Sequence, residues 1–242
     1  MLAAVILSGG ASRRMGSPKA LVSYQGTSFL EHLLSVTNHP ALGIRRVVLG
    51  PDAEAISRQI ALPPDEIVVN HEWEKGQLSS IHAALHSLPS NTEGMLLCPV
   101  DHPLVSAFLI GGLIDAFLVT RAPVVVPSYK GRRGHPVIFS AATFQELLNA
   151  PMDQGARAVV WAHKGKVSEV STTEEGCILN LNDPNTLAKL GDSPLESTWN
   201  QAEIKARRAV LSLGLSQRPR PNMPRESFRA TIRQMTRPGL AV

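Results

Sequence analysis

The sequence is poor in cysteine and in aromatic residues. Its 242 residues hold two cysteines, Cys98 and Cys177, and aromatics make up 5%. Two cysteines so far apart give neither a disulfide framework nor the paired spacing of a metal site. A reducing compartment, the cytoplasm, is therefore expected. With few rings available, the core must be built from Leu, Val, Ile and Ala. No apolar run approaches the roughly 18 residues that a membrane helix needs, so no membrane partner is expected. No basic leader precedes the first apolar run, which argues against a secretory signal. An excess of one charge is also missing over most of the chain. The formal charge is +4, yet the residues from 192 onward carry nine Lys and Arg against four Asp and Glu. The basic character belongs to that tail, and it does not argue for nucleic-acid binding by the main body.

What is present is alternation. Strand-like apolar runs fall at residues 2–7, 46–49, 67–69, 95–98, 124–126, 137–139, 167–170 and 178–181. Helix-like segments lie between them at 29–36, 53–60, 77–88, 109–119, 144–148 and 156–162, with another beginning at 186–190. Thr27 or Ser28 stands where a cap for the first helix belongs. Such alternation predicts a three-layer α/β fold with a mostly parallel central sheet. Residues 1–190 read as one domain. Residues 191–242, rich in Pro and Arg, read as a basic extension, partly helical or disordered. One reading of it is a solvated tail. Another is a docking arm for an acidic partner or a second subunit.

The most informative stretch follows the first strand: Leu-Ser-Gly-Gly-Ala-Ser-Arg-Arg-Met-Gly-Ser-Pro-Lys, residues 7–19. Gly9 and Gly10 let the backbone approach a ligand and turn N–H groups toward phosphate oxygens. Arg14 offers a planar fork of donors, and Lys19 a mobile point charge. The run is neither a Walker A loop nor a Gly-x-Gly-x-x-Gly dinucleotide fingerprint. A second stretch, Cys98-Pro99-Val100-Asp101-His102-Pro103, places Asp101 just past a buried strand. In a parallel sheet this is the edge that carries the glycine loop. A carboxylate beside phosphates suits Mg²⁺, which prefers hard oxygen ligands.

Three further stretches complete the pattern. Asn70 to Ser80 joins a strand to an amphipathic helix, with Gly76 at the turn and Ser79 and Ser80 in the first helical turn, where N–H groups are free. Arg132-Arg133-Gly134-His135-Pro136 precedes a strand. Its cations could neutralise a phosphate, although a His before Pro is equally a turn residue. Asn180-Leu181-Asn182-Asp183-Pro184 offers amide oxygens, and it could also be a helix-capping turn.

The loop at residues 7–19 resembles the signature of the nucleotidyltransferases that attach a nucleotide to the molybdenum cofactor, the cytidylyltransferases and guanylyltransferases. The other stretches are placed as in that family, and the likeness spans about residues 3–190. It implies the nucleotide-diphospho-sugar transferase variant of a Rossmann-like fold. It also implies nucleotide contacts at Leu7, Ser8, Gly9, Gly10, Ser12, Arg14, Lys19, Asn70, Gly76, Ser79, Ser80 and Asp101. Arg14, Lys19 and Asp101 would be catalytic. Arg132, Arg133 and His135 would face the acceptor. Asp101, joined by Asn182, would hold Mg²⁺. Gly-Gln-Leu-Ser-Ser and Gly-His-Pro lean the base choice slightly to CTP, whereas Asn180 and Asn182 lean to GTP.

The expected reaction passes an NMP from an NTP to a phosphate-bearing acceptor, molybdopterin by the resemblance, with release of pyrophosphate. Two other readings stay open. One is a nucleotidyltransferase for sugar phosphates or other small phosphates. The other is a non-catalytic module that hands nucleotide or cofactor to a partner, for which a molybdoenzyme or chaperone would serve.

Overall fold

A computed structural model describes residues 1–11, 16–24, 26–182 and 186. The first strand, β1 (Leu2–Ser8), is buried along its whole length. A small antiparallel hairpin follows, β2 (Ser23–Tyr24) with β3 (Thr27–Ser28). The chain then runs through α1 (Phe29–Val36), β4 (Leu42–Leu49), α2 (Ala53–Gln59), β5 (Ile67–Val69), α3 (Gln77–Ser87) and β6 (Gly94–Pro99). It continues through α4 (Ala107–Thr120), β7 (Val124–Tyr129), β8 (Arg132–Arg133), β9 (Val137–Ser140), α5 (Phe144–Leu148), α6 (Arg157–Ala162) and β10 (Val167–Thr172). The central sheet has eight strands in the order β10-β7-β9-β6-β1-β4-β5, with β8 paired to β7. All its pairings are parallel except those of β9 with β6 and β7 and of β8 with β7. This is the expected mixed α/β architecture.

Period-two burial explains the layers. Leu2 and Ile6 of β1 and Leu96 and Cys98 of β6 join one core cluster, under α1 and α4. Ala3, Val5 and Leu7 of β1 and Met95 and Leu97 of β6 join the other, under α3, α5 and α6. Aliphatic side chains buried on both faces make each central strand a continuous apolar run. Ser28 caps α1 through a capping box: its hydroxyl accepts from the Glu31 backbone N–H, and the Glu31 carboxylate accepts from the Ser28 backbone N–H. Two orphan donors are thereby satisfied and the helix start is set.

The expected strand at residues 178–181 is not one. Glu175–Ile178 form a 3₁₀ turn, and the chain then crosses the strand ends. Its backbone groups are committed there: His135 N–H donates to the Cys177 carbonyl at 2.8 Å, and Leu181 N–H to the Asp101 carbonyl at 2.8 Å. A segment bonded across strand ends cannot also lie along a neighbouring strand. The helix expected at 186–190 lies, but for Thr186, outside the described residues, as do residues 191–242.

Candidate active site

Parallel register brings distant loops to one edge. Ser8 pairs with Leu49 and Leu7 with Pro99, so β1, β4 and β6 end together. Val100 N–H donates to the Leu7 carbonyl at 2.9 Å and Asn70 N–H to the Leu49 carbonyl at 2.8 Å, which carries the alignment past the strands. A cavity of about 390 Å³ opens at this edge. It is lined by Leu7, Ser8, Gly9 and Gly10 from the first loop, and by Lys19, Gly76, Ser80, Asp101 and Asn182 from elsewhere. These expected site residues are therefore together. Ser12 and Arg14 lie outside the described residues.

Close approach of backbone explains two glycines. A Cβ on Gly9 would overlap the Ser80 hydroxyl, and a Cβ on Gly50 would overlap the Gly9 carbonyl. The glycine loop thus lies between the end of β4 and the start of α3. Asn70 is buried behind it, not in the cavity lining. Its amide donates to the hydroxyls of Ser79 at 2.9 Å and Ser80 at 3.0 Å. Ser79 donates in turn to the carbonyls of Glu72 and Gly76. Asn70 and Ser79 hold the helix start, and Ser80 reaches the cavity. Because α3 begins here, the positive end of its dipole favours anionic ligands.

The charged centre is compact. Lys19 Nζ lies 3.7 Å from Asp101 Oδ2, with the two side chains 20% and 23% exposed. Lys19 also donates to Asn182 Oδ1. Asn180 Nδ2 donates to Asp101 Oδ2 at 3.1 Å. An anionic and an amide oxygen beside a phosphate-sized cavity form a donor set that a hard cation accepts. Asp101 and Asn182 are the residues that could hold a divalent metal, which would then share their oxygens with the Lys19 ammonium. Among the described residues no group of three His, Cys, Asp or Glu could hold one without help. Such a cation would keep several water or phosphate ligands.

A second cavity, about 560 Å³, lies beside the first, and Gln77 lines both. Arg133 and His135 line it, with Phe139, Arg157 and Trp161 among its walls. Arg133 is paired with Glu169 at 2.7 Å. Arg132 is exposed and lines neither cavity, so the two expected arginines part ways. The rings of His135 and His102 stand 4.6 Å apart between centroids. Burial, reinforced by the neighbouring His102 and opposed by Asp101, holds the His135 pKa down to about 4. Burial also lowers His102, with Asp101 pulling the other way. His135 is neutral at pH 7, so toward a phosphate it acts as a hydrogen-bond donor and not as a counter-charge.

Sequence reasoning passed over Ala11, Trp73, Gln77, Pro99 and Val100, which also line the first cavity. Trp73 and Gln77 flank Gly76, and their place in that stretch was the available signal. Gly50 gave none, because a glycine before Pro51 reads as an ordinary turn.

Residues 4–167 match the MobA-like NTP transferase domain. The chain belongs to this family. As a MobA-like NTP transferase it is a nucleotidyltransferase. It is 30% identical over 182 residues to the nicotine blue oxidoreductase of Paenarthrobacter nicotinovorans, covering 71% of this chain and 87% of that one. It is 29% identical over 136 residues to a probable molybdenum cofactor guanylyltransferase of Bacillus cytotoxicus, covering 54% of this chain and 64% of that one. Rv0371c of Mycobacterium tuberculosis H37Rv, solved as a complex with manganese, superposes with a TM-score of 0.67 at 25% identity. That match covers 80% of this chain and 99% of the mycobacterial protein. No described helix of this MobA-like chain is long and apolar enough to cross a membrane.

Proposed function

We propose that this protein transfers a guanylyl group from GTP to the phosphate of a molybdopterin-type acceptor, with release of pyrophosphate. The observation that carries the reading is the shared cavity: Gly9, Gly10, Lys19 and Asp101 come from separate segments and line one space. The sequence motifs leaned slightly to CTP. The relatives named guanylyltransferases move the preference to GTP. In this reading residues 1–190 do the chemistry, and residues 191–242 are a basic extension to that domain.

An oxygen of the acceptor phosphate attacks the α-phosphorus of the nucleotide, and the bond from that phosphorus to the β-bridging oxygen breaks. The acceptor is already ionised near pH 7, so no strong general base is required. Catalysis is positioning and charge neutralisation. The N–H groups of Gly9 and Gly10, with Arg14 and Lys19, hold the triphosphate and stabilise the departing pyrophosphate. Gly76 and Ser80 line the nucleoside side, steadied by Asn70 and Ser79. Arg133 and His135 in the adjoining cavity receive the acceptor, and Arg132 approaches it only from outside. Asp101 and Asn182 would hold Mg²⁺ or Mn²⁺, the latter being the metal present in the mycobacterial complex, and the cation would supply Lewis-acid neutralisation of phosphate charge.

The test is pyrophosphate release from each of the four NTPs with Mg²⁺, with and without molybdopterin. Release from GTP only when molybdopterin is present supports the reading. Release from CTP alone overturns the base assignment, and release with a sugar phosphate in place of molybdopterin overturns the acceptor. NTP binding without turnover under any of these conditions returns the protein to the non-catalytic carrier reading. The name of the Paenarthrobacter relative raises a redox alternative. It predicts electron transfer with no pyrophosphate at all.

A further inference from the structure

The charged centre is held by a segment that contributes no strand to the sheet. Residues 174–182 cross the strand ends from the start of α4 to Lys19. The segment is fastened at four places. At its beginning the Glu174 carboxylate accepts from the Ser106 backbone N–H at 3.0 Å and from the Ser106 hydroxyl at 2.6 Å. Two residues on, a Cβ at Gly176 would overlap the Leu104 carbonyl, so the backbones touch there. The Cys177 carbonyl then accepts from His135 N–H, and Leu181 N–H donates to the Asp101 carbonyl. The Cys177 and Leu181 side chains are fully buried. On either side of the last fastening stand the two amides that touch the charged centre, Asn180 on Asp101 and Asn182 on Lys19.

Of the four, the Glu174 clasp is the one made by an ionisable side chain alone. Ser106 is also the N-cap of α4, and its hydroxyl accepts from Leu109 N–H at 3.1 Å. One serine therefore anchors both the helix that follows Asp101 and the segment that returns to it. Hydrogen bonds to a charged group in a partly buried setting are among the stronger ones, and a carboxylate at a helix N-terminus gains from the dipole. Glu174 lines neither cavity. Any effect it has on turnover must pass through the segment.

We propose that Glu174 is a positioning residue: clasped to Ser106, it keeps residues 174–182 in register, so that Asn180 and Asn182 orient Asp101 and Lys19 for transfer. This rests on the nucleotidyl-transfer reading above. The consequence is that transfer can be impaired from a residue that touches neither nucleotide nor acceptor.

The experiment compares Glu174→Ala, Glu174→Gln, Ser106→Ala and the double variant Glu174→Ala/Ser106→Ala with the unsubstituted protein. Misplacing a reacting group by about an ångström costs on the order of 10²-fold, so the kcat of Glu174→Ala should fall roughly 10- to 100-fold. The KM for NTP should change far less than kcat, because the glycine loop and α3 do not depend on the clasp and only Lys19 among the triphosphate contacts does. Hydrogen exchange should accelerate at Cys177 to Asn182 and remain unchanged in β1 and β6. Glu174→Gln keeps the shape and can accept from the Ser106 N–H while donating to its hydroxyl, so it should recover most of both properties. The double variant should be no slower than Glu174→Ala, since the two groups act as one unit. Full turnover by Glu174→Ala overturns the proposal. So does faster exchange throughout β1 and β6, which would mark a general loss of stability. If the unsubstituted protein releases no pyrophosphate with any acceptor, the nucleotidyl-transfer reading fails instead, and the exchange data still decide whether Glu174 holds the segment.

Discussion

Asn180 donates a hydrogen bond of 3.1 Å to the carboxylate of Asp101, across 79 residues of sequence. The Leu181 backbone N–H is bonded to the Asp101 carbonyl next to it. Asp101 is thus oriented from both its side chain and its backbone by one short stretch of chain. Asn180→Ala removes the side-chain half. A hydrogen bond to a charged group contributes about 1.5–3 kcal/mol. The kcat/KM of Asn180→Ala should therefore fall roughly 10- to 100-fold, read by pyrophosphate release. An unchanged rate would mean that the Leu181 bond suffices.

Lys19 and Asp101 are expected to be indispensable to turnover and nearly neutral to folding. Lys19→Ala and Asp101→Ala should each lower pyrophosphate release at least about 100-fold, in line with removing one electrostatic contact to a transition state. Their melting temperatures should move by only a few degrees, since a long 3.7 Å ion pair that keeps contact with solvent contributes little stability. Turnover like that of the unsubstituted protein in both variants would refute the site.

Gly50 is a test of shape alone. Its Cβ would overlap the Gly9 carbonyl, so Gly50→Ala must push the glycine loop away from β4. Overpacking of this kind costs about 1–3 kcal/mol. The stabilisation that saturating GTP confers in a thermal shift should be largely lost, although no ligand-contacting side chain has changed. Retention of the full shift would show that the loop adapts.

Histidines whose pKa is lowered by burial should set the acid limit, His32 and His135 among them. His32 Nε2–H donates to the Val105 carbonyl at 2.9 Å, and burial lowers its pKa, with that hydrogen bond opposing. The His135 pKa is held down to about 4, chiefly by burial. Both therefore stay neutral in the folded protein at pH values where an unfolded chain, with histidine near 6.5, takes up protons. The stability they confer is full above about pH 6.5 and is lost as the pH falls toward 4. Denaturant midpoints measured from pH 7.5 to 4.5 should decline, and His32→Gln should flatten the decline relative to the unsubstituted protein. An equally steep decline in His32→Gln would assign the pH dependence to other groups.

The boundaries of the central strands and of α1, α3 and α5 were legible to within a few residues because burial on two sheet faces leaves continuous or period-two apolar runs. The segment at 178–181 was misread for the same reason. Its Cys177, Ile178 and Leu181 are as apolar as a strand, but they fill the gap above the strand ends. Lys19, Asp101 and Ser80, which share the first cavity, were legible because glycine, cation, carboxylate and hydroxyl each mark a loop next to a strand or a helix start. Arg132 and Arg133 are adjacent in sequence and alike in chemistry. Alternation along β8 decides that Arg133 lines the second cavity and Arg132 does not. Gly50 was invisible because its constraint comes from a backbone atom 41 positions earlier in the chain.

The sequence by itself determined the fold class, the edge of the sheet at which the cavity opens, and the family. These follow from local periodicity and from short motifs whose residues act within one loop. Tertiary structure alone decided what surrounds Asp101: that Lys19 and Asn180 meet its carboxylate, that residues 174–182 cross the strand ends, and that Glu174 grips the start of α4. Those relationships join side chains dozens of residues apart. Each depends on the parallel register of β1, β4 and β6, which brings the strand ends level and which no single stretch of sequence encodes.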